Sequence, residues 1–169
     1  MKGTRTLEWT RRVKIEIYSD VMCPWCYIGE RRLERALAAL PPGERIDVAF
    51  RPYQLDPNAP ETAVPLTQYL ERRFGGRKDG MLDAVSQAAQ GEGISIAWDR
   101  ALSSNTRTAH RLPQWAVREG GPEVQRKLVG ELFALHFTHG GNIGEQVLST
   151  HTSSDGASAD SCADGVCAT

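Results

Sequence analysis

Cys23-Pro24-Trp25-Cys26 sets two thiols one helical turn apart, the spacing of a pair that can close into a disulfide and reopen. Exchange chemistry needs one sulfur that ionises readily and a second within reach to displace it. The first turn of a helix leaves N–H groups without partners and carries about half a positive elementary charge, so an anion there is stabilised. Pro24 suits the first helical position, where a missing N–H costs nothing and the fixed φ already fits. Cys23 then stands at the helix end as the attacking sulfur, and Cys26, one turn further in, is the resolving thiol. Cysteines so placed have pKa values of roughly 3.5–7.5 instead of about 8.5. The same spacing is half of a zinc site, and two inert core cysteines are a third reading. Proline at the second position, the helix start and the strand before it favour the redox pair.

The flanking pattern supplies that strand and that helix. Val13, Ile15 and Ile17 alternate with Lys14 and Glu16, which predicts a strand. Leu33, Ala36, Leu37 and Leu40 then recur at helical spacing until Pro41-Pro42-Gly43 stops them. Ile46 to Phe50 alternates again and completes a β-α-β unit. The stretch from Arg51 to Pro60 holds three prolines, so the chain is expected to leave the sheet as an extended segment.

Beyond this, residues 65–148 read as helical. Pro65 to Phe74 forms a helix that ends at Gly75-Gly76, and Met81, Leu82, Val85, Ala88 and Ala89 stripe a second that ends near Gly91. Ile94 to Trp98 is read as a connector. A third helix is expected to start with Ser104 or Asn105 as its cap and to run through Leu112 and Trp115, kinked or split by Pro113. The fourth covers Pro122 to His139, with Val124, Leu128, Leu132, Leu135 and Phe137 on its buried side. Asn142 is expected to cap a short last helix through Leu148.

At 169 residues, 40% of them hydrophobic and 7% aromatic, the chain can bury a core without disulfide staples, as one domain or as a small domain with an insertion. Its net charge of −1 gives no strong attraction to nucleic acid or to an anionic membrane. The Arg11-Arg12, Arg31-Arg32 and Arg72-Arg73 pairs are interleaved with acids and read as solvated faces. The N-terminus is polar and basic, without the apolar stretch of a secretory signal, and no run approaches the roughly 18 apolar residues of a membrane span. A cytoplasmic location is the expectation. Structural disulfides are uncommon there, so four cysteines in two close pairs point to catalysis, sensing or metal.

The second pair, Cys162 and Cys167, has four residues between its members and lies in a Ser-, Thr-, Ala-, Asp- and Gly-rich tail, residues 149–169, expected to be flexible. On a mobile arm such a pair can relay electrons to and from Cys23 and Cys26 through a mixed disulfide. It can also pair incidentally, or join the first pair in a four-thiolate zinc or iron–sulfur site. Among the histidines, His136 and His139 share helical spacing but lack a third ligand at metal-site spacing and read as structural, while His110 is open to a role near the thiols. Trp25 packs or contacts substrate. Glu16, Asp20 and Glu30 are the acids near the motif in sequence, and any of them is a candidate to take the Cys26 proton.

The segments IEIYSDVMCPWCYIGERRLERAL, FRPYQLDPNAP, NTRTAHRL and LFALHFTHGGNIG resemble the FrnE-like branch of the DsbA family of thioredoxin-fold thiol–disulfide oxidoreductases, over roughly residues 13–148. The resemblance implies an α/β fold: a thioredoxin-like β-α-β unit (residues 13–60) after an N-terminal arm (1–12), then an inserted helical domain (61–148) and the tail. It implies a disulfide oxidoreductase or isomerase acting on disulfide-containing proteins, with Cys23 as nucleophile and Cys26 as resolving cysteine, recycled by a thiol reductant or an oxidant and needing no organic cofactor or metal. Family members continue with a strand, a loop bearing a cis-proline that faces the cysteines, another strand and a helix, whereas no proline follows Pro122 in this chain. The expectation is therefore an incomplete sheet with an unpaired edge and exposed apolar surface, as in a deletion product, or a homodimer that completes the sheet through that edge. The rival reading is a non-enzymatic zinc-binding or redox-sensing module built on all four thiols.

Overall fold

Two parallel strands and the helix that joins them carry the CPWC segment. The computed structural model describes residues 13–144. Strand β1 (Val13–Ser19) leads through a short turn into helix α1 (Pro24–Ala38), and strand β2 (Ile46–Pro52) returns beside β1. The two strands pair in step from Val13 opposite Ile46 to Ser19 opposite Pro52. The alternation read from the sequence is visible in burial: Val48 and Phe50 are inside, while Ile15 and Ile17 are half-buried against the same core. Among the described residues no strand pairs the other edge of β1, so the sheet is incomplete there, and Val13 and Tyr18 are left exposed. The N-terminal arm, Cys162, Cys167 and the end of the expected last helix lie outside the described residues.

A two-residue strand, β3 (Val64–Pro65), pairs antiparallel with another, β4 (Leu102–Ser103), a ladder that the sequence pattern did not announce. Between them lie α2 (Leu66–Phe74), a 3₁₀ turn (Gly75–Arg77) and α3 (Lys78–Gln90), close to expectation, and Ile94 to Trp98 is indeed a connector. Arg32 and Arg35 on α1 both reach Glu92 just past α3, at 2.8 and 2.5 Å, and hold the two helices together at the surface.

Helix α4 (Arg111–Phe133) corrects two expectations. It begins at Arg111 rather than at Ser104 or Asn105. Asn105 instead clamps the proline-rich segment: its side-chain amide donates to the carbonyl of Pro57 at 3.0 Å and its Oδ1 accepts from Gln54. With the start at Arg111, Pro113 falls in the first turn, where its missing N–H breaks no helical bond, and it does not kink the helix. The break comes at Gly121, whose φ of 80° only glycine adopts readily, and Pro122 restarts the helix.

The buried face of α4 and the turn after it keeps Leu128, Leu132, Leu135 and Phe137 against apolar clusters, as expected, but is wider than expected and leaves out Val124. Gln125, Val129, Leu132 and Phe133 point inward and Val124 is exposed. Gln125 on that face closes the outer edge of β2: its Oε1 accepts the Phe50 N–H at 2.9 Å, and its Nε2 donates to the Phe50 and Pro113 carbonyls at 3.0 Å each. A side-chain amide thus stands where a neighbouring strand would pair. A π-helical turn (Ala134–Thr138) follows, and its wider winding buries Phe137 and His136 together. Tyr27 of α1 stacks on Phe133 and Phe137, with ring centroids 5.4 and 6.1 Å apart. One apolar core therefore joins β2, α1, α2, α3 and α4. No helix among the described residues is long and apolar enough to cross a membrane.

Candidate functional site

Cys23 occupies the N-cap position of α1 in extended backbone, and Pro24 begins the helix. Cys26 lies on the next turn, and both sulfurs are unbonded and partly exposed. The pair interacts directly. The Cys26 S–H donates to Cys23, and the backbone N–H groups of Cys26 and Trp25 face the same sulfur, so Cys23 is acidified to about 7 although partial burial opposes this. The stabilisation comes from these donors, the Cys26 thiol first, gathered at the start of the helix. Cys26 is pushed strongly upward, first because it gives its proton to the bond with Cys23 and then because burial disfavours its anion. One sulfur is thus an accessible thiolate near neutral pH and the other a thiol held against it.

Asp20 positions this turn. Its backbone carbonyl accepts the Cys23 N–H at 3.0 Å. Its carboxylate is 1% exposed and accepts from the Leu55 N–H at 2.7 Å, from the Met22 N–H at 3.4 Å and from His110 Nε2 at 3.2 Å. The same His110 nitrogen lies 3.0 Å from the Tyr53 carbonyl oxygen. The start of α1, the segment after β2 and the residue before α4 meet at one buried carboxylate. Its negative charge works against the thiolate of Cys23 and against that of Cys26. Sequence spacing gave no sign of this junction, because the partners are 90 residues apart.

The other acids separate. Glu16 sits on the outer face of β1 with Arg51 at 2.6 Å and Lys14 at 2.9 Å, which hold its pKa down to about 2. Glu30 is buried, and desolvation followed by the nearby Glu34 charge raises it to about 7. His136 and His139 do not share a face: His136 is fully buried, and desolvation lowers it to about 4, whereas His139 is exposed. Among the described residues no three His, Cys, Asp or Glu side chains gather within reach of one metal ion.

Trp25 is exposed beside Cys23, and with Pro24 and Met22 it forms one end of a cleft of about 570 Å³. Side chains of α2 and α3 form most of the rest, with Leu55, Asp56, Arg77 and Trp98, so the helical segment meets the cysteine turn across a largely apolar hollow. A second, more open hollow of about 910 Å³ is lined by His110, Tyr53, Arg107, Arg111 and Arg118.

A crystal structure of a probable DsbA oxidoreductase from Streptomyces coelicolor matches this structure with a TM-score of 0.70 at 26% identity, over 85% of this chain and 63% of that one. The Uncharacterized protein YwbO of Bacillus subtilis (strain 168) is 35% identical over 46 residues, 27% of this chain and 21% of that protein. The chain thus spans less than two thirds of either relative. The family model of the DSBA-like thioredoxin domain matches residues 14–166, and the chain belongs to that family.

Proposed function

We propose that this chain is a dithiol–disulfide oxidoreductase acting on disulfide-containing proteins, with Cys23 as nucleophile and Cys26 as resolving cysteine. The Cys23 thiolate attacks one sulfur of a substrate disulfide, forms a mixed disulfide and expels the other substrate sulfur as a thiolate. Cys26 then gives up its proton, attacks Cys23 and expels the second substrate thiolate. The substrate gains two electrons and the protein is left with a Cys23–Cys26 disulfide, which a thiol reductant restores; with an oxidant as recycling partner the same steps run in reverse. The observation that carries this reading is the asymmetry of the pair: one sulfur is acidified to about 7 at the helix start while its neighbour is held protonated.

The Asp20 carboxylate is engaged by three donors and serves as an anchor for the turn, which leaves solvent as the sink for the Cys26 proton. Cys162 and Cys167 are the proposed relay that reloads or discharges the pair. The experiment is trapping: Cys26→Ser protein incubated with oxidised protein substrates accumulates mixed disulfides on Cys23, and Cys23→Ser protein loses insulin reduction. Retention of insulin reduction by Cys23→Ser would overturn the assignment. Replacing Cys162 and Cys167 together by Ser slows turnover without altering single-turnover oxidation of Cys23 if the relay operates.

A further inference from the structure

The cleft beside Cys23 points to a class of substrate. At about 570 Å³ it has the size of a small-molecule site. Leu66 and Leu70 of α2 and Met81 and Val85 of α3 line it, with Trp98, and a helical backbone uses its own N–H and C=O groups in i to i−4 bonds. An extended peptide lying there would bring a donor and an acceptor at every residue with nothing to pair them. Three of the polar side chains there are already committed to one another: Tyr69 Oη donates to Asp56 at 2.5 Å, and Arg73 reaches Asp56 at 2.7 Å and Tyr69 at 2.9 Å.

Two features identify what fits instead. Three large apolar side chains left in solvent, Trp25 (51% exposed), Leu55 (50%) and Met81 (44%), all line this cleft; a cluster of that kind around a hollow marks a binding surface, where isolated ones would not. Arg77 also lines it, is exposed, and among the described residues has no carboxylate within ion-pair distance. Resting on the exchange reading above, we propose that the cleft receives the organic group of a low-molecular-weight disulfide, with a compact apolar body against α2 and α3, an anionic end at Arg77 and the S–S bond at Cys23. The Cys23 thiolate forms a bond to one sulfur of R–S–S–R and releases RS⁻. Cys26, losing its proton to solvent, then displaces the second RS⁻, so that one disulfide is reduced to two thiolates and the protein dithiol is oxidised.

Gly80 provides a clean test. It lines the cleft, lies within α3, and a Cβ added there meets nothing within 4 Å, so the side chain of Gly80→Leu starts in open space and narrows the hollow. The rate of oxidation of the reduced protein by dithiobisnitrobenzoate, an aromatic disulfide with carboxylates, is measured against that by hydroxyethyl disulfide. Gly80→Leu lowers the ratio of the two rates about tenfold, the discrimination an apolar pocket typically gives. Arg77→Gln lowers it about threefold to fivefold, as loss of a partly screened charge pair would, and has no such effect with the uncharged dithiodipyridine. Ratios unchanged in both variants would remove the cleft proposal and leave exchange at Cys23 intact; a wild-type dithiol that neither disulfide oxidises would remove the exchange reading itself.

Discussion

His110 Nε2 lies 3.2 Å from Asp20 Oδ1 and 3.0 Å from the Tyr53 carbonyl oxygen. Both neighbours are acceptors, so Nε2 carries a proton and bridges them. The contact ties the residue before α4 to the turn that presents Cys23. His110→Ala leaves the Tyr53 carbonyl without this donor and Asp20 Oδ1 with only the longer bond from the Met22 N–H, and the expected loss is about 1–3 kcal/mol of unfolding free energy, read from urea denaturation. Asp20→Asn also lowers stability, yet it removes the charge that opposes the Cys23 anion, so the thiolate titration midpoint moves below that of the wild type. An unchanged or higher midpoint in Asp20→Asn would show that the carboxylate has no electrostatic hold on the thiol.

The acidity of Cys23 has a separable cause. Its largest contribution is the hydrogen bond from the Cys26 thiol. Thiolate absorbance of the reduced protein is expected to titrate with a midpoint near pH 7. Cys26→Ala deletes the donor and shifts the midpoint upward by about 1–2 pH units, toward that of an ordinary cysteine near 8.5. Cys26→Ser keeps a hydroxyl donor at the same place and shifts it less. If the alanine and serine variants titrate alike, the helix start alone sets the acidity.

Gln125 is the most demanding buried polar contact outside the site. Its amide is 1% exposed and makes three hydrogen bonds, two of them to Phe50 on β2. Replacement by Leu strands the Phe50 N–H and takes the Gln125 donor from the Pro113 carbonyl, while the Phe50 carbonyl keeps Gln114 at 3.2 Å, with an expected cost of about 1–3 kcal/mol. Gln125→Glu can still accept from the N–H but places an acceptor against two carbonyls, so it is no rescue. Equal stability of wild type and Gln125→Leu in chemical denaturation would mean that solvent reaches this edge.

What was legible in the sequence is what short-range patterns encode. The alternation around Ile15 and Val48, the proline after Cys23 and the glycine stops gave β1, α1, β2, α2 and α3 nearly to the residue, because each depends on neighbours within a turn or a strand repeat. The junction of His110 with Asp20 and the closure of β2 by Gln125 depend on segments brought together only by the finished core. Their residues carry no local signature. A buried glutamine on a helix face reads as a surface residue, which is why the inward side of α4 was expected to include Val124 and not Gln125, while Leu128 and Leu132 do pack inward. Asn105 resembled a cap because its type fits one, whereas tertiary contacts with Pro57 and Gln54 use its side chain otherwise. The Ala134–Thr138 turn changed the helical period, so two histidines three residues apart face in different directions.

Glu30 makes stability depend on pH in a direction opposite to that of a salt-bridged acid. It is 6% exposed, one of its carboxylate oxygens has no hydrogen-bond partner among the described residues, and burial raises its pKa from 4.5 to about 7. Between those two values the folded state binds more protons than the unfolded one, so unfolding free energy falls as pH rises from about 4.5 through about 7 and is level above. At 1.36 kcal/mol per pH unit the interval corresponds to about 3 kcal/mol at most. Glu30→Gln keeps the shape without the charge. It is expected to gain about 2–3 kcal/mol over the wild type at pH 8 and to match it more closely at pH 4.5, since only the ionised glutamate carries the desolvation cost. Parallel denaturant titrations of the two proteins across that range would check this, and a constant difference between them would place the Glu30 carboxyl in contact with water.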